Sequence, residues 1–287
     1  MAIARIEPYE IPSAGDWPAC RAAWPLEPMR AALLVHDMQE YFLRPFAPDA
    51  SPLSVALRNV EALRAACGEA AVPIFFSVQP EQDRSGRGLL WDLWGPGISE
   101  SPALIEVDAR LGPGLDDVIL PKRRYSAFHG TDLFAMLAAR KRDQLVICGV
   151  YGHIGCLATA LDGFMGGVQP FLVADAVADF SREDHAVALR QVARTCGVVA
   201  TAEEVLLAMR VARVRAALDG LLDPPASAAA IGVDDDLGDH GIDSIRLMSL
   251  AERLLRPDHG HDFVEIADAR SLRSFATLLA PAAQAAR

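Results

Sequence analysis

Ala31-Ala-Leu-Leu-Val-His-Asp37 is an apolar run that stops at two ionisable residues. An unbroken apolar run of this kind suits a strand buried on both faces, as in parallel sheets. The pattern recurs downstream. Pro73-Ile-Phe-Phe-Ser-Val78, Val118-Ile-Leu120, Gln144-Leu-Val-Ile-Cys148 and Pro170-Phe-Leu-Val-Ala-Asp175 read as further strands. Between them lie helical signals. Val55, Leu57, Val60, Leu63 and Ala66 recur at helical spacing, and 133–139, 156–165 and 183–195 read the same way. Alternating strands and helices imply a parallel sheet covered on both faces. The expected fold of residues 1–210 is therefore α/β: a three-layer α/β/α domain with a mostly parallel sheet.

The pattern changes after that. Residues 203–222 read as one long helix with Val205, Leu206, Met209, Ala212 and Ala216 on its apolar face. Asp223-Pro-Pro-Ala-Ser227 breaks it. A loop with Asp234-Asp-Asp236 follows, then a helix over 244–255, a short turn near 263–267 and a helix over 271–279. No strand-like run stands out. This is the layout of a small all-α four-helix domain over 211–287, with the boundary between Ala208 and Ala216 and the long helix shared across it.

Bulk properties narrow the function classes. A chain of 287 residues with 52% apolar content can bury one large core or two smaller ones. No stretch approaches the roughly 18 consecutive apolar residues of a membrane span. The N-terminal residues have early acids and prolines and no basic segment, which argues against a signal peptide and for a cytoplasmic protein. The five cysteines are scattered without a Cys-x-x-Cys pair, so neither a disulfide framework nor a zinc site is indicated. A net charge of −11 argues against nucleic-acid binding. Residues 216–287 hold 12 Asp+Glu and 6 Lys+Arg, or −6, which leaves −5 for the rest. An acidic module suits docking on basic patches of partner proteins, but charge alone favours a plain solvated surface.

Ligands of a parallel α/β sheet bind beyond the carboxyl ends of its strands. Asp37, Gln79, Lys122 and Tyr151 all fall just past such ends, which suggests one site. Leu33-Leu-Val-His-Asp-Met-Gln39, Pro121-Lys122 and Gly149-Val-Tyr-Gly-His-Ile-Gly-Cys156 together resemble the isochorismatase-like hydrolase superfamily. Lys122-Arg-Arg-Tyr-Ser-Ala-Phe128 and Ala174-Asp-Ala-Val-Ala-Asp-Phe-Ser181 resemble its isochorismatase branch. Amidohydrolases of that superfamily use an Asp, a Lys and a nucleophilic Cys seven residues before an Asp. Counting back from Asp162 reaches Gly155, and Cys156 lies one residue late. One residue turns a helical side chain by about 100°, so Cys156 is expected to point away from the pocket as a small buried thiol. The metal-binding histidines of nicotinamidases are also missing from 79–94, so no metal is expected.

Without a nucleophile, the resemblance implies hydrolysis of the enolpyruvyl ether of isochorismate. That reaction needs a proton delivered to the vinyl methylene carbon and no covalent catalyst. The resemblance then assigns Asp37, Lys122 and Gly155 to the catalytic centre, with Asp37 as general acid. It assigns Phe42, Gln79, Arg87, Trp94 and Tyr151 to the substrate. Arg87 suits a bidentate carboxylate contact, and Phe42, Trp94 and Tyr151 suit an apolar wall. His36 reads as a core histidine at the end of a buried strand. His153 is a tempting acid–base group, and Asp175 and Asp179 read as loop and capping acids.

Gly241-Ile-Asp-Ser-Ile-Arg-Leu-Met248 places a serine after an aspartate at a helix start. Taken alone this is an Asp-capped helix. It resembles the phosphopantetheine attachment site of carrier proteins, which implies a 4'-phosphopantetheine arm on Ser244. A serine there lies near unpaired backbone N–H groups and the positive end of the helix dipole, which suits a phosphodiester. An isochorismatase joined to an aryl carrier resembles the bifunctional proteins of catecholate siderophore synthesis. That resemblance implies several partners: a phosphopantetheinyl transferase, an aryl-acid adenylating ligase and the condensation domain of a nonribosomal peptide synthetase. It also implies a homodimer. Three other readings stay open: hydrolysis of an aminated isochorismate analogue, amide cleavage, and a carrier scaffold with an inert first domain. The glycine at 155 weighs against the amidase. Ser244 weighs against a lone hydrolase, and Asp37 together with Lys122 weighs against the scaffold.

Overall fold

The structure is a computed structural model that describes residues 3–222, 227–255 and 261–280. The chain divides into two compact units, Met1–Val205 and Leu206–Arg287, a few residues before the boundary expected from sequence. The division falls inside one continuous helix. Most of the break read at Asp223-Pro-Pro-Ala-Ser227 lies outside the described residues.

The first unit is built on six strands: β1 (Ala31–His36), β2 (Ile74–Val78), β3 (Val118–Pro121), β4 (Gln144–Val150), β5 (Gln169–Ala178) and β6 (Val198–Ala200). They form one sheet in the order β3-β2-β1-β4-β5-β6, and every pairing is parallel. Every residue of β1 and β4 is buried, as their unbroken apolar sequences require. β6 has three residues and was not legible as a strand. The sheet is entirely parallel, a degree beyond the mostly parallel one expected.

Helices cover both faces. α1 (Glu40–Leu43) follows β1, and α2 (Leu53–Glu69) packs against β1, β2, β4 and β5. Two short helices, α3 (Arg84–Arg87) and α4 (Leu90–Trp94), lie between β2 and β3. α5 (Leu133–Ala139), α6 (Leu157–Met165) and α7 (Arg182–Thr195) share a core with Ala32 and Leu34 of β1, Leu145 and Ile147 of β4, and Leu172 and Ala174 of β5. Side chains alternate across a strand, so Leu33 and Val35 face the opposite layer. Where a helix was expected from residue 156, the chain first makes a π-helical turn, Gly152–Cys156, and only then enters α6.

This strand order decides where a ligand sits. The chain runs outward from β1 through β2 to β3, then returns to the other side of β1 for β4, β5 and β6. β1 and β4 are thus neighbours whose next connections diverge, and such a switch point leaves a crevice at the carboxyl ends. Asp37 and Tyr151 follow these two strands directly.

α8 (Ala202–Asp219) leads into the second unit, which adds α9 (Ser244–Leu254), α10 (Phe263–Asp268) and α11 (Leu272–Leu278). Val214, Leu218, Ile231, Leu237, Leu250, Leu272 and Phe275 form its core. The four-helix layout matches the expected one, with α10 a short helix where a turn was read. Among the described residues no helix is long and apolar enough to cross a membrane.

Candidate active site

A pocket opens at the β1–β4 switch point. Its lining includes all eight residues read from sequence for this domain: Asp37, Phe42, Gln79, Arg87, Trp94, Lys122, Tyr151 and Gly155. They come from the ends of four strands and from α1 and α3–α4, so only the fold brings them together.

Asp37 and Lys122 form the polar centre. Lys122 Nζ lies 2.6 Å from Asp37 Oδ2, and their side chains are 1% and 7% exposed. The other carboxylate oxygen, Oδ1, accepts a hydrogen bond of 2.7 Å from the Ser77 hydroxyl. Ser77 lies opposite His36 in the β1–β2 register, which puts its hydroxyl beside the residue that follows. The backbone N–H of Asp37 points to Ser77 as well. Asp37 has φ of 51°, an uncommon conformation outside glycine. Lys122 also donates to the Arg124 carbonyl at 3.1 Å.

Arg87 supplies a second cation. Its Nε donates to the Gly95 carbonyl at 2.8 Å, and its Nη1 is buried without a hydrogen-bond partner. Burial works against the Arg87 cation, and the phenols of Tyr41 and Tyr125 work partly in its favour. A buried guanidinium N–H with no acceptor is costly, so the group is set to receive an anion. Gln79 is held from behind: Gln39 accepts from the Gln79 N–H at 2.7 Å and donates to the Gln79 carbonyl at 3.1 Å.

The wall is aromatic. Tyr151 donates to the Phe42 carbonyl at 2.6 Å, so its hydroxyl is committed to the wall. Phe42 meets the Tyr151 ring edge-on, and Phe180 lies 4.4 Å from it between centroids. The Trp94 indole N–H donates to the Tyr125 hydroxyl at 2.8 Å. Burial pushes the Tyr151 phenol well above its ordinary range, and it stays neutral.

Gly155 lines the pocket, whereas Cys156 is fully buried in the core shared with α6 and α7. A Cβ built on Gly155 would overlap Cε1 of His36. The His36 imidazole is fully buried, 2.9 Å from the Val150 carbonyl through Nδ1 and 3.3 Å from the Tyr125 carbonyl through Nε2. Burial holds this imidazole below its ordinary range, against the pull of Asp37. His36 therefore belongs to the core and also fills the space a side chain at 155 would need. Its position before Asp37 was legible in sequence, but this packing was not.

Several pocket residues were not foreseen. Tyr41, Tyr125, Ile154 and Phe180 line the cavity, and Ser77 and Gln39 support it from beneath. Tyr125 and Phe180 stand inside motifs quoted above, and their offset from the strand ends hid them. Asp175 caps a helix, as expected, by accepting from the Ala202 N–H at 2.6 Å. Asp179 likewise accepts a backbone N–H from a first helical turn, that of His153 at 2.6 Å, and it also binds the His153 side chain. Among the described residues no group of three or more His, Cys, Asp or Glu is placed to hold a metal ion.

In the second unit Ser244 is exposed at the first turn of α9. Asp243 is the N-cap and accepts from the Arg246 N–H at 2.8 Å. Ser244 borders a groove that includes Leu237, Ile242, Leu247, Met248 and Phe263. An outward hydroxyl at the start of an 11-residue helix, with an apolar groove beside it, fits a phosphodiester-linked arm.

A parallel α/β/α sheet with a buried acid–cation pair at its switch point is the arrangement expected of the hydrolase superfamily that the sequence resembles. The isochorismatase domain model matches residues 31–204. The chain is 43% identical over 269 residues to enterobactin synthase component B of Escherichia coli, covering 93% of this chain and 94% of that one. It is 49% identical over 205 residues to phenazine biosynthesis protein PhzD1 of Pseudomonas aeruginosa, covering 71% and 98%. Among solved structures it resembles a cysteine hydrolase of Pseudomonas syringae, with a TM-score of 0.62, 29% identity and 68% and 98% coverage. The chain belongs to the isochorismatase family.

Proposed function

We propose that this chain hydrolyses the enolpyruvyl ether of isochorismate, releasing pyruvate and 2,3-dihydro-2,3-dihydroxybenzoate, and that its C-terminal unit carries an aryl acid. One observation carries the first half: a buried carboxyl, Asp37, faces a pocket in which Gly155 and the His36 ring leave no room for a thiol nucleophile. Such a site favours acid chemistry over acyl transfer.

In this reading Asp37 gives its proton to the vinyl methylene carbon. The carbon–carbon double bond becomes a methyl group, and an oxocarbenium ion forms at the ether carbon. Water adds there and returns a proton to Asp37. The hemiketal then collapses, breaking the bond between that carbon and the ring oxygen, to give pyruvate and the ring alcohol. One water is consumed and no redox change occurs. The substrate carboxylates offer Arg87 Nη1 the acceptor it lacks, while the Phe42, Tyr151 and Trp94 wall covers the enolpyruvyl group.

Ser244 is the attachment point in this reading. The arm, once attached by a phosphopantetheinyl transferase, would supply a thiol that holds the aryl acid as a thioester. Its exposure and its place at the start of α9 support the assignment. An adenylating ligase would load the thiol and a condensation domain would unload it. This reading takes the chain to act in the cytoplasm.

A second reading has its own support. The 49% identity to a phenazine biosynthesis protein, confined to 205 residues, favours an aminated isochorismate analogue as substrate for the same acid. The two are separated by offering purified protein each compound and following pyruvate. Release from isochorismate, lowered at least a hundredfold in Asp37→Ala, is expected. No release from wild type, or undiminished release from the variant, would reject the proposal.

A further inference from the structure

Asp179 follows β5, the one inner strand whose end contributes no residue to the chemistry above. Its side chain is fully buried and is bound entirely by the pocket-bearing loop and its own neighbour. Oδ2 accepts the backbone N–H of His153 at 2.6 Å, and Oδ1 lies 2.6 Å from His153 Nδ1. Oδ1 also accepts the N–H of Phe180 at 2.9 Å. The carboxylate therefore grips the π-helical turn that begins directly after Tyr151 and carries Gly155. The grip is close: a Cβ built on Gly152 would come within 2.9 Å of Oδ2.

The backbone of Asp179 is fixed in turn. Its N–H donates to the Tyr9 hydroxyl at 2.8 Å. His185 Nε2 lies 2.9 Å from the Ala174 carbonyl, which leaves Nδ1 as the acceptor for the Tyr9 hydroxyl at 3.2 Å. Phe180, the next residue, packs on Tyr151 and stands edge-on to His153. Thus one buried carboxylate ties the end of β5 to the loop after β4, and the two sides of the tie are both pocket wall. His153 itself is partly exposed and absent from the lining. It reaches the pocket only through the wall residue Phe180, which suits a mechanical role and not that of proton donor.

We propose that His153 and Asp179 are positioning residues for the hydrolysis: their bidentate contact sets where Tyr151 and Gly155 stand relative to Asp37. The inference rests on the reading that this pocket is the hydrolytic site. Displacing a pocket wall by about 1 Å costs on the order of a hundredfold in rate when the reacting geometry is lost.

The test is a steady-state comparison on the full chain, with thermal melts in parallel. Asn places its side-chain nitrogen close to where the imidazole Nδ1 sits, so His153→Asn keeps the donor to Asp179 and removes the ring. His153→Leu removes the donor. We expect His153→Asn to keep kcat within about threefold of wild type, and His153→Leu to lower kcat roughly tenfold or more with KM little changed. Asp179→Asn, which turns one acceptor oxygen into a donor facing N–H groups, should resemble His153→Leu. Wild-type kcat in His153→Leu would overturn the inference, as would equal losses in His153→Asn and His153→Leu. If His153→Leu does not fold, His153→Asn decides alone: a tenfold or greater loss in a variant that melts like wild type overturns it. An inactive wild type would instead reject the underlying assignment of substrate.

Discussion

The decisive residue in this pocket is one without a side chain. Gly155 lines the pocket, and the imidazole of His36 fills the space where a Cβ at 155 would stand. The two positions are 119 residues apart in sequence and meet only because β1 and β4 are neighbours. Adding one carbon at 155 would force the imidazole away from the carbonyls of Val150, at the end of β4, and Tyr125, in the loop after β3, both of them pocket residues. Overpacking of this kind costs roughly 1–3 kcal/mol and moves the groups it presses on. Gly155→Ala should therefore lower both the melting temperature and kcat for pyruvate release, and a variant with wild-type values in both would show that the contact relaxes freely. Gly155→Cys should gain no amidase activity while His36 stays in place. The acid, the cation and the glycine were all legible from motif spacing. Ser77 was not, because a lone serine inside an apolar strand carries no signal until register places it against Asp37.

At the level of elements, strands were read more securely than the helices that close the pocket. β1, β2, β4 and β5 are long apolar runs, and burial on both faces leaves little ambiguity. α3 and α4 have four and five residues, too short for a periodic pattern, yet they deliver Arg87 and Trp94. Those two were found by resemblance and not by periodicity. α9 behaves in the opposite way. Its cap, Asp243, and its outward serine were legible together, since a capping side chain must precede the first helical turn. The two residues have separable roles. Incubation with coenzyme A and a phosphopantetheinyl transferase should add about 340 Da to the full chain, a covalent change visible by intact mass. Asp243→Ala should weaken the second unit by about 1 kcal/mol and still accept the group, whereas Ser244→Ala should accept none. Addition that survives Ser244→Ala would reject the carrier assignment.

For the molecule as a whole, three histidines set how stability follows pH. Burial depresses the imidazoles of His36 and His185 below the ordinary value of 6.5. His153 sits above that value, because Asp179 and Asp184 outweigh its burial. A depressed group binds its proton more readily in the unfolded chain, so its contribution is complete above about pH 6.5 and is lost as pH falls toward the folded value. A raised group acts oppositely: its contribution is present at low pH and lost as pH rises through the folded value. Two deeply buried imidazoles oppose one ion pair whose histidine is partly exposed. The melting temperature of the first unit should therefore fall between about pH 7.5 and about pH 5.5. A melting temperature that rises over that interval would show that the His153 pair dominates. By itself the sequence determined the α/β/α class, the all-α second unit, the acid–cation pair and the exposed serine at the start of α9 that is proposed as the tether. Each of these is written locally, in apolar runs, strand ends and a capped helix start. Only the tertiary structure decided that His36 fills the slot at Gly155, that Ser77 braces Asp37 and that Asp179 holds the loop of Tyr151. Those contacts join residues from strands distant in the chain, and sheet order and register, which no local pattern encodes, are what bring them together.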